Sequence, residues 1–334
     1  MSKEILVTGG GGFIGGTAME LLRNAGESVV GTDKQIESEL SQKLKLQRLD
    51  SSDKEATNKF IWDLMPSTIF HFAGIAMPKE VAGDEELGHK INVETVMNLL
   101  DAIILARKRD PDYNPIIIVA GSVEQFGDPK EGELAVTEDN PVTESSPRNA
   151  VTPYGRQKEE MSVKFLEKCR DNNLRGFVVI QGQVSGVSPS GEISQRTGFL
   201  IPDLAVQVAT IIKSGQELGV VSSGPLLNRR PILDVKDAID AYIKIAEENP
   251  IPGEYIVCAE ESRPLIDVLT TMINSSGLTI VREINKAFGD GGPNRFYSSE
   301  KVRKATGWNP KVQYERMIHD VLEFQRKYGK EVRK

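Results

Sequence analysis

Thr8-Gly9-Gly10-Gly11-Gly12-Phe13-Ile14-Gly15 is the stretch whose reading decides the fold. The apolar run Ile5-Leu6-Val7 precedes it, and from Phe13 to Ala25 apolar residues recur at helical spacing until Gly26, a residue that ends helices. The order is strand, tight turn, helix. Glycines in such a turn permit positive φ, let the backbone approach a pyrophosphate with no Cβ in the way, and let the helix pack closely on the strand. The free N–H groups of the helix start attract phosphate oxygens. Gly9, Gly12, Phe13, Ile14 and Gly15 are therefore expected to hold the diphosphate of a dinucleotide. Gly10-x-Gly12-x-x-Gly15 and Gly9-x-x-Gly12-x-x-Gly15 are both present, so glycine spacing alone leaves the subfamily open.

Working outward, Val29-Val30-Gly31-Thr32-Asp33 reads as a second strand ending in a carboxylate about twenty residues past the loop, the spacing of a ribose clamp. Asp33 would accept from the ribose hydroxyls and repel a 2′-phosphate, which favours NAD(H). Lys34 beside it weakens that preference and leaves NADP(H) possible. Leu44-Lys45-Leu46-Gln47-Arg48-Leu49 alternates like a strand and ends at Asp50 and Ser51, expected beside the adenine. Thr68-Ile69-Phe70-His71-Phe72-Ala73-Gly74 is a buried strand whose small terminal residues let Phe72, Ala73 and Gly74 lie against the dinucleotide. His71 is expected as a packed core residue.

The 334 residues suffice for one large or two ordinary domains, and 39% hydrophobic with 27% charged residues is the balance of a globular protein. A net charge of −7 gives no field for nucleic acid or an acidic membrane, neither of which is expected as a partner. The chain passes from Met1-Ser2-Lys3-Glu4 straight into the first strand with no targeting segment, and the cytoplasm is the expected compartment. Cys169 and Cys258 lack ligand spacing and His71, His89 and His319 are scattered, so reduced thiols and no metal are expected.

Leu87 to Arg107 is a long helical pattern interrupted by Asn92, either a local backbone-bonding device or a prop beneath the active site. Ile116-Ile117-Ile118-Val119-Ala120 is a central parallel strand, and its carboxyl end, where doubly wound sheets bind ligands, carries Ser122 and Glu124. Gly127 to Pro147 is a polar excursion, after which Pro153 opens a helix to about Asp171 with Tyr154 and Lys158 on one face. A tyrosine works as acid or base near neutrality if its pKa is pulled down from about 10, and a lysine one turn away favours the phenolate. Ser122 donates to the same substrate oxygen. Together with a nicotinamide ribose held by Lys158, the three form a unit that moves a proton on an alcohol or carbonyl while hydride passes. Beyond Phe177 the elements shorten: helices are expected at 201–213, 235–248, 264–275 and 313–328, with a strand at 218–221.

The loop Thr8 to Gly15, Asp33, His71-Phe72-Ala73-Gly74, Asn92, Ser122-x-Glu124-x-Phe126-Gly127, Tyr154-Gly155-x-x-Lys158 and Thr306-Gly307-Trp308 together resemble the extended short-chain dehydrogenase/reductases that modify nucleotide-sugars. The resemblance covers nearly the whole chain. It implies an α/β fold, a Rossmann-type doubly wound parallel sheet with a smaller C-terminal α/β substrate-binding domain. The nucleotide domain is set at 1–178, with 232–250 returning to it, and the substrate domain at 179–231 and 251–334. A homodimer packed through Leu87–Arg107 and Tyr154–Asp171 is also implied. Ala120 to Gly127, Thr197 to Asp203 and Asn228 to Val235 look most like the GDP-mannose 4,6-dehydratase and GDP-4-keto-6-deoxymannose reductase branch. That places Ser122, Val123, Glu124, Gln181, Arg196, Arg230 and Arg295 on the substrate, with Arg230 at its diphosphate.

Two departures stand out. Gln181 replaces the Asn that relatives carry, and Val123 sits where thymidine-linked glucose dehydratases place an acid. Glu124 would abstract a proton beside a C4 ketone or be inherited by a reductase that no longer eliminates. C4-keto reduction of a 6-deoxy GDP-sugar leads, followed by a 4,6-dehydratase or epimerase that keeps its NAD. From another class, a non-catalytic dinucleotide sensor would have no reason to keep Ser122, Tyr154 and Lys158 together.

Overall fold

The structure is a computed structural model and describes residues 4–128, 135–285, 287 and 291–329. Six strands, β1 (Ile5–Thr8), β2 (Val29–Asp33), β3 (Gln47–Arg48), β4 (Thr68–His71), β5 (Ile116–Ser122) and β6 (Arg175–Gln181), form one sheet with the strand Gly253–Val257. Its order is Gly253–Val257, β6, β5, β4, β1, β2, β3, and every neighbouring pair is parallel. Alternation in the strands feeds two faces. Val7, Phe70, Ile118, Phe177, Val179 and Tyr255 pack with the helices α1 (Phe13–Asn24) and Val235–Glu248. Leu6, Ile69, Ile117, Val119, Val178 and Ile256 pack on the other side, against Thr95–Ala106 and Pro153–Asp171. Each large apolar side chain so buried contributes roughly 1.5–3 kcal/mol. The order reverses between β1 and β4, which opens the crevice at their carboxyl ends.

The expected strand from Leu44 shrinks to two residues. Leu44 instead caps the helix α2 (Glu39–Lys43), and Lys45 takes φ 51°, so extended pairing cannot begin earlier. The long helix expected from Leu87 is three pieces: Glu85–His89, a π turn at Lys90–Glu94, and Thr95–Ala106. Asn92 lies in that turn, a widening that often marks functional positions. After β3 the chain forms the helix α3 (Lys54–Leu64), with Asp53 accepting from the Ala56 N–H at 3.0 Å.

The boundary set at residue 251 misplaces one strand, because Gly253–Val257 extends the main sheet by pairing with β6. Beyond the sheet, Leu200–Ser214, Ile266–Ser276 and Tyr314–Tyr328 share a third core containing Leu204, Val208, Leu269, Met272, Ile318 and Leu322. The strand Leu218–Ser223 pairs in parallel with Thr279–Ile284, a strand the sequence reading missed. Trp308 is fully buried, and its indole N–H donates to the Asp237 carbonyl at 3.0 Å, tying the last third of the chain to the helix Val235–Glu248. Among the described residues no helix is long and apolar enough to cross a membrane.

Candidate active site

The glycine loop leaves β1 with Gly9 at φ +68°, where a Cβ would stand 2.7 Å from the Ala73 nitrogen. A Cβ on Gly15 would meet the Gly9 carbonyl oxygen at 2.2 Å, so loop and helix touch through bare backbone. No side chain caps α1 at Gly12, which leaves the N–H groups of Phe13 and Ile14 facing the crevice. Asp33 ends β2; its carboxylate accepts from the Gly11 N–H at 3.1 Å and from the Gln35 N–H at 3.2 Å. Asp33 therefore holds the loop as well as standing where a ribose would be read. This cradle, narrow enough that a methyl group would fill it and lined by free N–H donors, fits a dinucleotide. Lys34, Arg48, Asp50 and Asp53 line an adjoining cavity of about 490 Å³, with Arg48 paired to Glu37 and donating to the Lys34 carbonyl at 2.9 Å. Ser51 is buried, and its carbonyl accepts from the Asn98 amide at 3.2 Å.

β4 ends at His71, whose Nδ1 is 2.9 Å from Thr8 Oγ1 and whose Nε2 is 3.3 Å from Thr95 Oγ1. Because the Thr95 hydroxyl donates to the Ile91 carbonyl at 2.7 Å, it can only accept from the ring, so Nε2 carries the proton and Thr8 donates to Nδ1. Burial, and after it the nearby Lys158 charge, push the His71 pKa down to about 3. The imidazole is a neutral core strut, as the sequence reading expected. Phe72 stacks behind Phe70 at 6.3 Å, and Gly74 passes 3.1 Å (measured from an added Cβ) from Asn92 Oδ1. Asn92 accepts from the Ile75 N–H at 2.9 Å and donates to Gln157 Oε1 at 3.1 Å. It props both the segment after β4 and the helix that carries Tyr154.

That helix begins at Pro153 under a Thr152 cap that accepts from the Gly155 N–H at 3.0 Å. A Cβ on Gly155 would lie 2.6 Å from the Glu124 carbonyl oxygen, so glycine there lets the helix start abut the turn after β5. This contact brings the Tyr154 phenol into a hydrogen bond with Ser122, while the Ser122 Oγ also accepts from the Glu124 N–H at 3.2 Å. Lys158 donates to the Ala120 carbonyl at 2.8 Å, with its ammonium 5.9 Å from the Tyr154 ring centre. All three side chains are at least nine-tenths buried. The expected depression of the tyrosine is not what they produce. Burial pushes the Tyr154 pKa up to about 12, partly opposed by the Ser122 bond and reinforced by the Glu124 charge. Burial also pulls Lys158 down to about 8. Desolvation outweighs a lysine whose bond goes to a backbone carbonyl instead of the phenolate side.

The model of the NAD dependent epimerase/dehydratase family matches residues 5–258, which take in the cradle, the ribose-reading carboxylate and the Ser-Tyr-Lys unit. The chain belongs to that family. UDP-glucose 4-epimerase 2 of Arabidopsis thaliana is 28% identical over 350 aligned positions, covering 96% of this chain and 94% of that one. GDP-6-deoxy-D-mannose reductase of Pseudomonas aeruginosa is 23% identical, covering 78% of this chain and 81% of its own length. The solved RMD of Pseudomonas aeruginosa complexed with NADPH superposes with a TM-score of 0.77 at 20% identity, over 98% of this chain and 100% of that one.

In this epimerase/dehydratase family member the residues read as substrate contacts are only partly brought together. Val123 is buried in a short turn with Glu124, whose carboxylate acts electrostatically on Tyr154, Arg230 and Tyr297. Arg230 donates to the Gly291 carbonyl at 3.2 Å and to the Pro293 carbonyl, so part of its guanidinium is already spent. Arg295 is paired with Asp128 and adds a like charge near Arg230. Arg196 sits apart at the surface, paired with Glu80 at 2.6 Å. Gln181 closes β6 level with Ser122, and its Oε1 accepts from the Tyr242 hydroxyl at 2.9 Å. Tyr242 and Tyr297, which lie beside these residues, went unread in sequence. Cys169 and Cys258 are free and buried, each pushed up to about 12 by burial.

Proposed function

We propose that this protein is a nucleotide-sugar oxidoreductase working at C4 of the hexose, and that its reaction is reduction of a GDP-linked 4-keto-6-deoxy sugar. The observation that carries the reading is the burial of Ser122, Tyr154 and Lys158 together at the carboxyl end of β5, where burial pushes the phenol up to about 12. A phenol so held carries its proton at neutral pH, the form that reduction of a ketone calls for. Ser122 orients that oxygen, and the Lys158 ammonium, 5.9 Å from the ring centre, receives the negative charge left on the phenolate. NAD(H), which Gly9, Gly12, Phe13, Ile14, Gly15 and Asp33 would hold, supplies the hydride when bound. Glu124 beside the phenol supports the GDP-sugar branch over 4-epimerisation, which calls for no second carboxylate there. The similarity to a GDP-6-deoxy-D-mannose reductase agrees with it.

A second reading, 4-epimerisation with retained NAD, draws on Asp33 and on the UDP-glucose 4-epimerases among the relatives. One experiment separates the two: denature the purified protein, identify the cofactor released, then screen GDP-, UDP-, dTDP- and CDP-sugars by mass spectrometry. A reductase loses its cofactor readily and adds two hydrogens to a 4-keto-6-deoxy sugar only when reduced cofactor is supplied. Retained NAD with an isomer of unchanged mass gives the protein to the epimerase reading, and unaided water loss from GDP-mannose makes Glu124 an eliminating base. Homodimerisation through Thr95–Ala106 and Pro153–Asp171 belongs to the same reading, and sedimentation of a protein altered at the exposed Val163 checks it.

A further inference from the structure

We propose that Tyr242 is a positioning residue for substrate: its hydroxyl fixes the Gln181 carboxamide so that the NH2 group, and not the carbonyl, is offered to the sugar of a bound nucleotide-hexose. The inference rests on the nucleotide-sugar reading above. Gln181 is the last residue of β6, paired in register with Ser122, so it stands beside the catalytic hydroxyl and is half-buried. A carboxamide presents an acceptor and a donor of nearly the same shape, and its terminal torsion is broad and close to two-fold. Left alone, such a group would show either end to the cleft. In the structure Tyr242 takes up the carbonyl end, its O–H donating to Gln181 Oε1 at 2.9 Å.

Tyr242 is well built for that task. It projects from the helix Val235–Glu248 and is fully buried, with its ring edge against Phe72 at 5.0 Å and 65°. Burial, with the neighbouring Tyr154 phenol adding repulsion, drives its pKa far above the ordinary value, so it keeps the proton it donates throughout the working pH range. The amide oxygen is thereby satisfied, and the NH2 group is left for an acceptor in the cleft. The same ring backs Phe72, so cofactor wall and substrate wall are tied through one side chain.

The test is titration calorimetry on the full chain loaded with NAD(H), using GDP-mannose and UDP-glucose against GDP and UDP. Tyr242→Phe should weaken the nucleotide-hexose that the wild-type protein prefers by about fivefold to tenfold, as loss of one oriented hydrogen bond does, with nucleoside diphosphate and NAD(H) affinities unchanged. Gln181→Glu keeps an acceptor for Tyr242 but turns an anionic oxygen to the sugar, so it should weaken binding at least as much. Tyr242→Phe combined with Gln181→Ala should be no worse than Gln181→Ala alone. A merely structural tie would lower Tm, spare the Glu variant and leave the ratio of nucleotide-hexose to nucleoside diphosphate affinity where it was; that result overturns the proposal. A wild-type preference for the hexose that both variants retain sinks this inference only. Equal wild-type affinity for nucleotide-hexose and nucleoside diphosphate brings down the nucleotide-sugar reading and this inference with it.

Discussion

The two walls of the cleft are made of different material. The cofactor wall is backbone: Gly9, Gly12 and Gly15 within one short stretch, with Asp33 bonded across to Gly11 at 3.1 Å. The wall proposed for substrate is side chains brought from distant parts of the chain, Glu124, Gln181, Arg230 and Arg295, of which the last three are held by partners of their own. A wall of backbone has no slack, because an added atom collides with peptide. A wall of side chains can be retuned one residue at a time.

The largest effect should follow from attacking the wall without slack. Gly15→Ala puts a Cβ 2.2 Å from the Gly9 carbonyl oxygen, and backbone on both sides prevents relief. NAD(H) affinity should fall by about a hundredfold, the upper end of overpacking costs, in a fluorescence titration. Gly26→Ala is the control: φ is +85° but nothing lies within 4 Å, so it should cost about 1 kcal/mol of stability and leave cofactor affinity alone. Equal cofactor binding by the two variants would erase the contrast between the walls.

Next comes Tyr154→Phe, which removes one buried hydroxyl and its Ser122 bond. Turnover of the true substrate should drop by at least roughly a hundredfold with cofactor affinity nearly intact, since the proton donor is lost but no cofactor contact is. Near-normal turnover would remove Tyr154 from the chemistry. Lys158→Ala should damage both turnover and cofactor binding.

The same difference explains what the sequence made legible. The cradle is contiguous, so its glycines announce themselves, and Tyr154 with Lys158 falls on one helix face by spacing alone. Tyr242 shares its helix with buried Ala238, Ile239, Ala241 and Ile245, and nothing in that stripe separates a positioning phenol from a packed one. The Tyr154 pKa was read in the wrong direction because spacing reports a neighbouring lysine but not the burial that outweighs it. The π turn at Lys90–Glu94 was illegible because Asn92 takes its shape from two distant partners, the Ile75 N–H and the Gln157 side chain. The short helix α2 went unread, although Ser38 caps it by accepting from the Ser41 N–H at 3.0 Å.

Asp33→Asn sharpens the comparison from the one place where a side chain serves the backbone wall. Loss of the charge should relieve repulsion of a 2′-phosphate, with Arg48 and Lys34 close by, and raise NADP(H) affinity relative to NAD(H) by about tenfold. Titrating both cofactors into stripped protein reads the ratio. No change in it would mean that Asp33 serves only Gly11 and Gln35, and that cofactor choice lies with the Arg48–Glu37 pair.

An effect absent at neutral pH comes from the strut beneath both walls. His71 is neutral with a pKa near 3, against about 6.5 in an unfolded chain. Between those values the unfolded state binds the extra proton and the folded state refuses it, so stability is fully present above pH 6.5 and is lost as pH falls. The loss from this group approaches about 1.4 kcal/mol per pH unit inside that window. His71→Asn keeps an acceptor for the Thr8 hydroxyl, whose partner is now at 2.9 Å, and removes the titration. Urea midpoints measured from pH 7 to pH 4.5 should therefore fall less steeply in the variant, although its stability at pH 7 is lower from lost packing. Parallel pH profiles would mean that His71 takes up its proton inside the folded protein, and that the Thr8, His71 and Thr95 chain is looser than its 2.9 and 3.3 Å contacts imply.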